Sequence, residues 1–202
     1  MDSPIQLSIT ESKSKDMVPV INGKPLHSIH NPIREAEVFA SNHLAQLHTK
    51  PNVLVLGLGF GYHVDEMAKI LRLRHKEGRL VVVEPFKELV RLWGSYRPNK
   101  AGAEVFTAAS PLELYNHREL CRFLLLKPVV IIHQPSFELA KNYYQDFLRK
   151  RAATSISEWG TNDSWWNDWA TNQHSPVTED LLNSKAPQAA WLRAFWELKH
   201  AE

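Results

Sequence analysis

Residues 52–84 read NVLVLGLGFGYHVDEMAKILRLRHKEGRLVVVE. The apolar run at residues 53–56 has the length and branching of a strand that is buried on both faces. Glycines then stand on alternate positions, and a helical pattern with apolar residues at i, i+3, i+4 and i+7 follows them. A second apolar run at residues 80–83 ends in Glu84. The order of strand, glycine turn, helix, strand and acid predicts half of a nucleotide-binding α/β unit.

The glycine turn contains Gly57, Gly59 and Gly61, and glycine lets the backbone come close to a ligand. A helix that begins near Tyr62 or His63 would direct free N–H groups and its positive dipole end toward the same place. Glu84, 23 residues after Gly61, is placed to accept hydrogen bonds from ribose hydroxyls. These features predict a ligand that contains a nucleoside. A tight turn followed by a helix-capping acid would require the same residue types.

The kind of nucleotide is not fixed by the glycine spacing. The dinucleotide pattern G-x-G-x-x-G is not completed, because Tyr62 and Val64 stand where a further glycine would be needed. A phosphate loop is also absent, since Gly23-Lys24 is followed by Pro25. The G-x-G-x-G form with a later acid is closest to S-adenosylmethionine-dependent methyltransferases. Those enzymes usually carry an acid just before the glycines, where this chain has Val55-Leu56.

Composition indicates a soluble globular protein. The chain has 202 residues, of which 44% are hydrophobic and 23% charged, and a length that suits one domain. A formal net charge of +2 gives no electrostatic reason to expect binding to nucleic acid or to acidic membranes. The single cysteine, Cys121, excludes an internal disulfide framework. No apolar run is long enough for a membrane span and no secretion signal is visible, so we expect a cytoplasmic protein.

The segment before residue 52 predicts a hairpin and a helix. Strands at Met17–Ile21 and Lys24–His27 flank Asn22-Gly23, a strong two-residue turn signal. Asn31 followed by Pro32 predicts a helix start, and an apolar stripe continues that helix to about residue 47.

After residue 84, helices and strands alternate. Helices are expected after Pro85, at 112–126 and at 137–151, with strands at 104–107 and 129–132. This alternation predicts a Rossmann-like, doubly wound α/β fold with a mostly parallel sheet and helices on both faces. We divide the chain into residues 1–50, a nucleotide-binding core at 51–151 and a C-terminal extension at 152–202.

A ligand is expected over the carboxyl ends of the strands. The glycine turn, Glu84 and His133 should converge there, and a base could lie against the small residues that follow residue 107. The predicted cofactor-binding residues are Gly57, Gly59, Gly61, Tyr62, His63, Glu84, Ala109 and Ser110.

Ten histidines raise the question of a metal, but their spacing in the sequence contains no H-E-x-x-H motif and no Cys–His set. The sequence therefore predicts no metal site. His63 and His133 stand at predicted strand ends and are the candidate catalytic residues, because histidine titrates near neutrality. A purely structural role for either would give the same pattern.

The C-terminal extension is rich in tryptophan. Six of the seven tryptophans follow residue 158, and Trp165, Trp166 and Trp169 would suit a platform for a sugar or a peptide. The same residues would also suit docking onto the core, onto a protein acceptor or onto a second copy of the chain.

Three motifs together resemble a known family. LHSIHNPIREAE at residues 26–37, VLGLGFGYH at 55–63 and VVVEP at 81–85 are similar to the central domain of motility accessory factors and to archaeal hydroxymethylpterin pyrophosphokinases. The first group adds nonulosonic sugars to flagellin, and the second moves a diphosphate from ATP to a pterin alcohol. Full-length motility accessory factors are much longer and carry flanking domains.

The resemblance implies a transferase that binds a CMP-sugar or ATP. It also implies that the substrate-binding residues Ser28, Asn31, Arg34 and Glu35 lie beside the glycine turn, with Arg34 available to a phosphate. Two alternatives stay open. One is an S-adenosylmethionine-dependent methyltransferase, and the other is a non-catalytic interaction module that keeps the nucleotide pocket.

Overall fold

The computed structural model describes residues 5–97, 101–115 and 117–151. The tryptophan-rich extension predicted at 152–202, including the platform of Trp165, Trp166 and Trp169, lies outside the described residues. Within the described part of the chain, none of the helices is long and apolar enough to cross a membrane.

The N-terminal hairpin is present and is part of a three-stranded antiparallel sheet. β2 (Met17–Ile21) pairs with β3 (Lys24–Pro25), and β1 (Leu7–Glu11) adds a third strand on the other side of β2. The turn residues Asn22 and Gly23 have φ angles of 51° and 77°. Positive φ at both turn positions is what a two-residue hairpin requires, so the Asn-Gly prediction is confirmed.

The helix predicted up to residue 47 is two helices. α1 spans Pro32–Asn42 and α2 spans Leu44–Thr49, with His43 between them. The break occurs because the His43 backbone N–H donates to the carbonyl of Ala40, which tightens the last turn of α1. The predicted start is confirmed, since the Asn31 side chain caps α1.

A four-stranded parallel sheet lies at the centre of the fold. Its strands are β4 (Asn52–Leu56), β5 (Arg79–Val83), β6 (Glu104–Phe106) and β7 (Val129–Ile132). They lie in the order β6-β5-β4-β7, and every neighbouring pair is parallel. The apolar side chains of β4 are fully buried, as the unbroken apolar run predicted.

The order of the strands creates a switch point. From β4 the chain moves in one direction to β5 and β6, and then returns to place β7 on the other side of β4. The connections that leave the carboxyl ends of β4 and β7 meet at this point, where Gly57 lies against Ser136. In open α/β sheets, ligands bind outside the carboxyl ends of the strands at such a switch point.

Helices flank the sheet, which gives the predicted Rossmann-like α/β architecture. α3 (Tyr62–Arg74) follows the glycine turn and packs against α1 and α2, and α4 (Lys87–Tyr96) follows β5. The more detailed prediction, that helices cover both faces of the sheet, stays a prediction.

Two further helices predicted as continuous are each divided. The segment at 112–126 contains α5 (Pro111–Leu114) and α6 (Arg118–Leu125). The segment after β7 contains α7 (Gln134–Leu139) and α8 (Lys141–Arg151), and Ala140 lies between them with a ψ of 39°, outside the helical range. Helical propensity alone did not reveal these boundaries, because the residues at each break are compatible with a helix.

The described residues form two compact units. The first contains residues 5–97, 101–109 and 126–141, and the second contains 110–115, 117–125 and 142–151. The hairpin, α1 and the parallel sheet therefore belong to one unit. The division into residues 1–50, 51–151 and 152–202 stays a prediction.

In the second unit, Tyr115 is a buried anchor. Its hydroxyl donates a hydrogen bond of 2.7 Å to the carbonyl oxygen of Phe147, and the two rings are stacked with centroids 5.7 Å apart. The candidate functional site lies entirely in the first unit.

Candidate functional site

The glycine turn between β4 and α3 is packed against side chains of the protein itself. Its three glycines have φ angles of 101°, 53° and 76°, which are unfavourable for any other residue. A Cβ atom at any of these positions would overlap a neighbouring side chain. The pairs are Gly57 with Ser136, Gly59 with His27, and Gly61 with Trp93. The close approach that requires glycine is therefore an approach to these three side chains.

Four of the five amides of the glycine turn donate hydrogen bonds within the protein. Two donate to backbone carbonyls, one donates to the carboxylate of Glu84, and one donates to an imidazole. In order along the chain, the acceptors are the carbonyl of Val83 for Gly57, Glu84 for Leu58, His27 for Phe60, and the carbonyl of Leu58 for Gly61. In this conformation most of the turn is not available to bind a phosphate.

Glu84 connects the end of β5 to the glycine turn. Its side chain is fully buried, with Oε2 accepting from the Leu58 amide at 2.8 Å and Oε1 accepting from the Phe86 amide at 3.1 Å. Burial raises its pKa to about 7, although the amides of Leu58, Phe86 and Gly59 act in the opposite direction. The predicted contact with ribose stays a prediction, and a ribose would share these oxygens with the turn.

His27 links the N-terminal segment to the glycine turn. Its buried ring accepts a hydrogen bond at Nε2 from the Phe60 amide, 2.8 Å away, so the ring proton is on Nδ1. The Nδ1 atom lies 3.4 Å from Oε2 of Glu35, which also accepts the Ser28 amide at 2.9 Å. The motif at 26–37 and the motif at 55–63 therefore meet in space.

His63 and His133 lie face to face at the switch point. Their rings are stacked with centroids 4.1 Å apart and an angle of 8° between the planes. Nε2 of His63 is 3.0 Å from the carbonyl oxygen of Gly57, and because a carbonyl only accepts, this nitrogen carries the proton. The other nitrogen of His63, Nδ1, is buried and has no hydrogen-bond partner. Nδ1 of His133 is 2.8 Å from the hydroxyl oxygen of Ser136.

The three buried imidazoles are neutral in this environment. Burial is the largest cause in each case, since it penalises the charged form. It lowers the pKa of His63 to about 3, with the neighbouring His27 adding to the effect. The pKa of His133 is also well below its usual value because of burial and of His63 and His27. Burial lowers the pKa of His27 as well, although the hydrogen bond to Glu35 opposes this shift.

The residues predicted to bind substrate from the N-terminal motif lie at the start of α1. The Ser28 hydroxyl accepts from the amides of His30 and Asn31, and the Asn31 side chain accepts from the Arg34 amide at 2.8 Å. The side chains of Arg34 and Glu35 have different surroundings. Glu35 contacts His27, whereas Arg34 faces solvent. Hydrogen bonds within the protein keep the pKa of Glu35 low, although partial burial opposes them.

Of the remaining predicted residues, Tyr62 is buried in the first turn of α3 and donates from its hydroxyl to the carbonyl of Met17. Ala109 follows β6 in the first unit. Ser110 belongs to the second unit, where its hydroxyl caps α5 by accepting from the Glu113 amide.

Sequence reasoning did not select His27, Ser136 and Trp93, which close the glycine turn. His27 lies inside the motif at 26–37, next to the selected Ser28, so the motif contained the signal. Ser136 follows His133 by three residues in the first turn of α7, which is the spacing that places both side chains on one face. Trp93 carried only the signal of a buried helix face.

A cavity of about 300 Å³ lies along α3 and begins at Tyr62, the residue that follows the glycine turn. Tyr62, Asp65, Lys69, Arg72 and Arg97 are among its lining residues. The Arg97 guanidinium forms an ion pair of 2.5 Å with Asp65 and lies 3.8 Å from the centre of the Tyr62 ring. The Arg97 guanidinium is therefore already held by an acidic and an aromatic neighbour.

Comparison with known proteins gives no family. No protein-family model matches the chain, and no curated protein matches it. Among solved structures, the chain is similar to the crystal structure of MnmC2 from Aquifex aeolicus, with a TM-score of 0.36 and 14% identity. The match covers 55% of this chain and 45% of that protein, so the chain spans less than half of its length. A TM-score this low does not establish a common fold, and the resemblance to motility accessory factors stays a prediction.

Proposed function

We propose that this protein binds a nucleotide or a nucleotide-sugar at the carboxyl ends of β4, β5 and β7 and acts as a transferase of the motility accessory factor type. The supporting observation is that the two most specific motifs meet at the switch point. His27 from the motif at 26–37 accepts the Phe60 amide of the glycine turn. The residues that carry the resemblance are thus adjacent where an α/β sheet binds its ligand.

In this proposal, the charge of the ligand is held outside the glycine turn, because four of the five amides of the turn are already bonded. The available groups are the first-turn amides of α3, which no side chain caps, and the exposed guanidinium of Arg34. A helix N-terminus and an arginine both stabilise a phosphate. His63 and His133 are the proposed catalytic pair because both lie against the glycine turn. Burial lowers their pKa values, so in this proposal they act as neutral hydrogen-bonding groups. Transfer of a glycosyl or diphosphate group would then depend mainly on positioning and charge neutralisation.

One observation favours a second candidate, an S-adenosylmethionine-dependent methyltransferase. Four of the five amides of the glycine turn are bonded within the protein, so most of the turn is not open to a phosphate. S-adenosylmethionine carries no phosphate, so its binding does not require a phosphate-binding loop. The two candidates share the acid at the end of β5 and differ in the charge of the ligand.

Isothermal calorimetry against CMP, ATP with magnesium, and S-adenosylhomocysteine separates the candidates. Arg34→Ala is expected to weaken CMP or ATP about 10- to 100-fold, because one charge-assisted hydrogen bond is lost. The matched control is Arg74→Ala, at an exposed arginine in the last turn of α3, and it should leave binding unchanged.

Binding of CMP or ATP that depends on Arg34 would support the transferase and choose between its sugar and diphosphate branches. Binding of S-adenosylhomocysteine alone, with equal affinity in the wild type and Arg34→Ala, would replace it with the methyltransferase. If none of the three ligands binds, both candidates are wrong.

A further inference from the structure

Three histidines that are far apart in the sequence come together at the switch point. His27 follows β3, His63 lies in the first turn of α3, and His133 follows β7. All three side chains are buried, and one ring nitrogen from each lies within 4.8 Å of the corresponding nitrogens of the other two. We call these residues the histidine cluster.

We propose that the histidine cluster binds one divalent transition-metal ion of the zinc type, with one ring nitrogen of each histidine as a ligand. Imidazole nitrogen suits zinc, cobalt, nickel and copper, whereas magnesium and calcium prefer oxygen. Three protein ligands leave a fourth position for water or a substrate atom, as in catalytic zinc sites. The proposal of a metal site does not depend on which nucleotide the protein binds.

The hydrogen bonds around the histidine cluster are those of metal-ligating histidines. Such residues hold one ring nitrogen on a carboxylate, a carbonyl or another polar group, and this fixes the ring with its second nitrogen toward the metal. Each ring of the cluster has such a partner on one nitrogen. The partners are Glu35 for Nδ1 of His27, the Gly57 carbonyl for Nε2 of His63, and the Ser136 hydroxyl for Nδ1 of His133.

An unpartnered lone pair inside the cluster is a second, independent indication. Nδ1 of His63 is buried and accepts no hydrogen bond, although its ring is held at the opposite nitrogen. A buried polar atom without a partner is costly and rare in a folded protein. A metal ion would supply the missing partner.

Metal binding requires one existing hydrogen bond to be exchanged. In the structure, Nε2 of His27 accepts the Phe60 amide, and this is the nitrogen that remains when Glu35 holds Nδ1. Coordination would displace that amide, because nitrogen ligands lie about 2 Å from zinc. It would also turn the rings of His63 and His133 out of their stacked arrangement, since both in-plane lone pairs must point at one ion. The Phe60 amide is therefore a backbone reporter for the event.

The test uses the full chain, first stripped with EDTA, and Zn²⁺ itself as the probe. We expect calorimetry to show one strong zinc site per chain, with no competition from Mg²⁺. Bound Co²⁺ should then give the visible absorption of a site with a low coordination number, and added Zn²⁺ should displace the Co²⁺. His63→Asn is expected to weaken zinc binding at least about 100-fold, and Glu35→Gln about 10-fold, because the latter removes only the partner of a ligand. The matched control is His30→Asn, at an exposed histidine outside the cluster, which should retain full affinity.

A measurement on the wild-type chain avoids any loss of fold in the variants. Nitrogen-15 spectra of the histidine side chains should show the signals of three ring nitrogens, one from each histidine, shifting with one equivalent of Zn²⁺. The signal of the other nitrogen of each ring should not shift. The Phe60 amide signal should move with them. Zinc that binds without shifting these nitrogens, or that binds equally to His63→Asn, would overturn the proposal, as would the absence of a strong site.

Discussion

Acid should destabilise this protein through the histidine cluster, and the size of the effect follows from the proton balance. A neutral buried histidine has a folded pKa below the unfolded value of 6.5, so the unfolded chain binds more protons below that pH. The contribution of a neutral buried histidine to the free energy of unfolding is therefore present above pH 6.5, and it is lost as the pH falls toward the pKa of the folded state. For His63, with a pKa of about 3, lowering the pH from 6.5 to about 5 removes about 2 kcal/mol.

Glu84 acts in the opposite direction in the same range. Its pKa rises from 4.5 to about 7 on folding, so between those values the folded protein holds a proton that the unfolded chain does not. Lowering the pH through this range therefore adds stability. His63 and His133, whose pKa values burial places well below their usual value, stay neutral at about pH 5. The unfolded chain then takes up two protons at these positions, and the folded protein takes up one at Glu84. The net difference of about one proton corresponds to a slope of about 1.4 kcal/mol per pH unit, and the lowered pKa of His27 acts in the same direction.

Urea unfolding followed by circular dichroism, at several pH values between about 5 and 6.5 and with EDTA present, measures this slope. His63→Asn removes one of the three histidines, so its slope should fall by about 1.4 kcal/mol per pH unit whatever its absolute stability. His30→Asn should keep the wild-type slope. A free energy of unfolding that does not change over this range, or an unchanged slope in His63→Asn, would refute the assignment of neutral buried rings.

Other predictions concern backbone and charge contacts of the first unit. Gly59→Ala should destabilise the fold by more than about 1 kcal/mol, because φ is positive there and the new Cβ would meet His27. Gly94→Ala, in a helix with open space around it, should instead stabilise the fold by about 0.5–1 kcal/mol. Thermal unfolding of both variants tests this contrast. Asp65→Asn should cost about 1–3 kcal/mol in urea unfolding because it breaks the half-buried pair with Arg97, whereas Glu88→Gln, in an exposed pair, should cost less than about 1 kcal/mol. Equal losses in either comparison would contradict the contacts described.

Local sequence patterns predicted much of the fold because the forces that decide it are local. The Asn22-Gly23 turn requires positive φ, the Asn31-Pro32 pair starts a helix, and the apolar run at 53–56 can be satisfied only between two packed layers. The divided helices were not predicted, since a break at His43 or Ala140 depends on backbone hydrogen bonds rather than on a helix-breaking residue.

The candidate site was partly visible in the sequence. The glycine turn, Glu84 and His133 were expected at one edge of the sheet, and Glu84 does contact the turn at Leu58. The prediction did not foresee what the glycines approach, because a sequence shows that a position is small without showing which side chain lies against it.

The sequence by itself determined the order of the elements, the hairpin turn and the glycine turn, because each depends on residues that are neighbours in the chain. Only the tertiary structure decided that β7 lies beside β4, and this placement sets His133 against His63. The prediction of no metal site considered histidines close together in the sequence, whereas the histidine cluster draws its members from three separate connections. Residues come close across a sheet because of the order in which the strands pair. That order depends on long-range packing, which no local sequence pattern reveals.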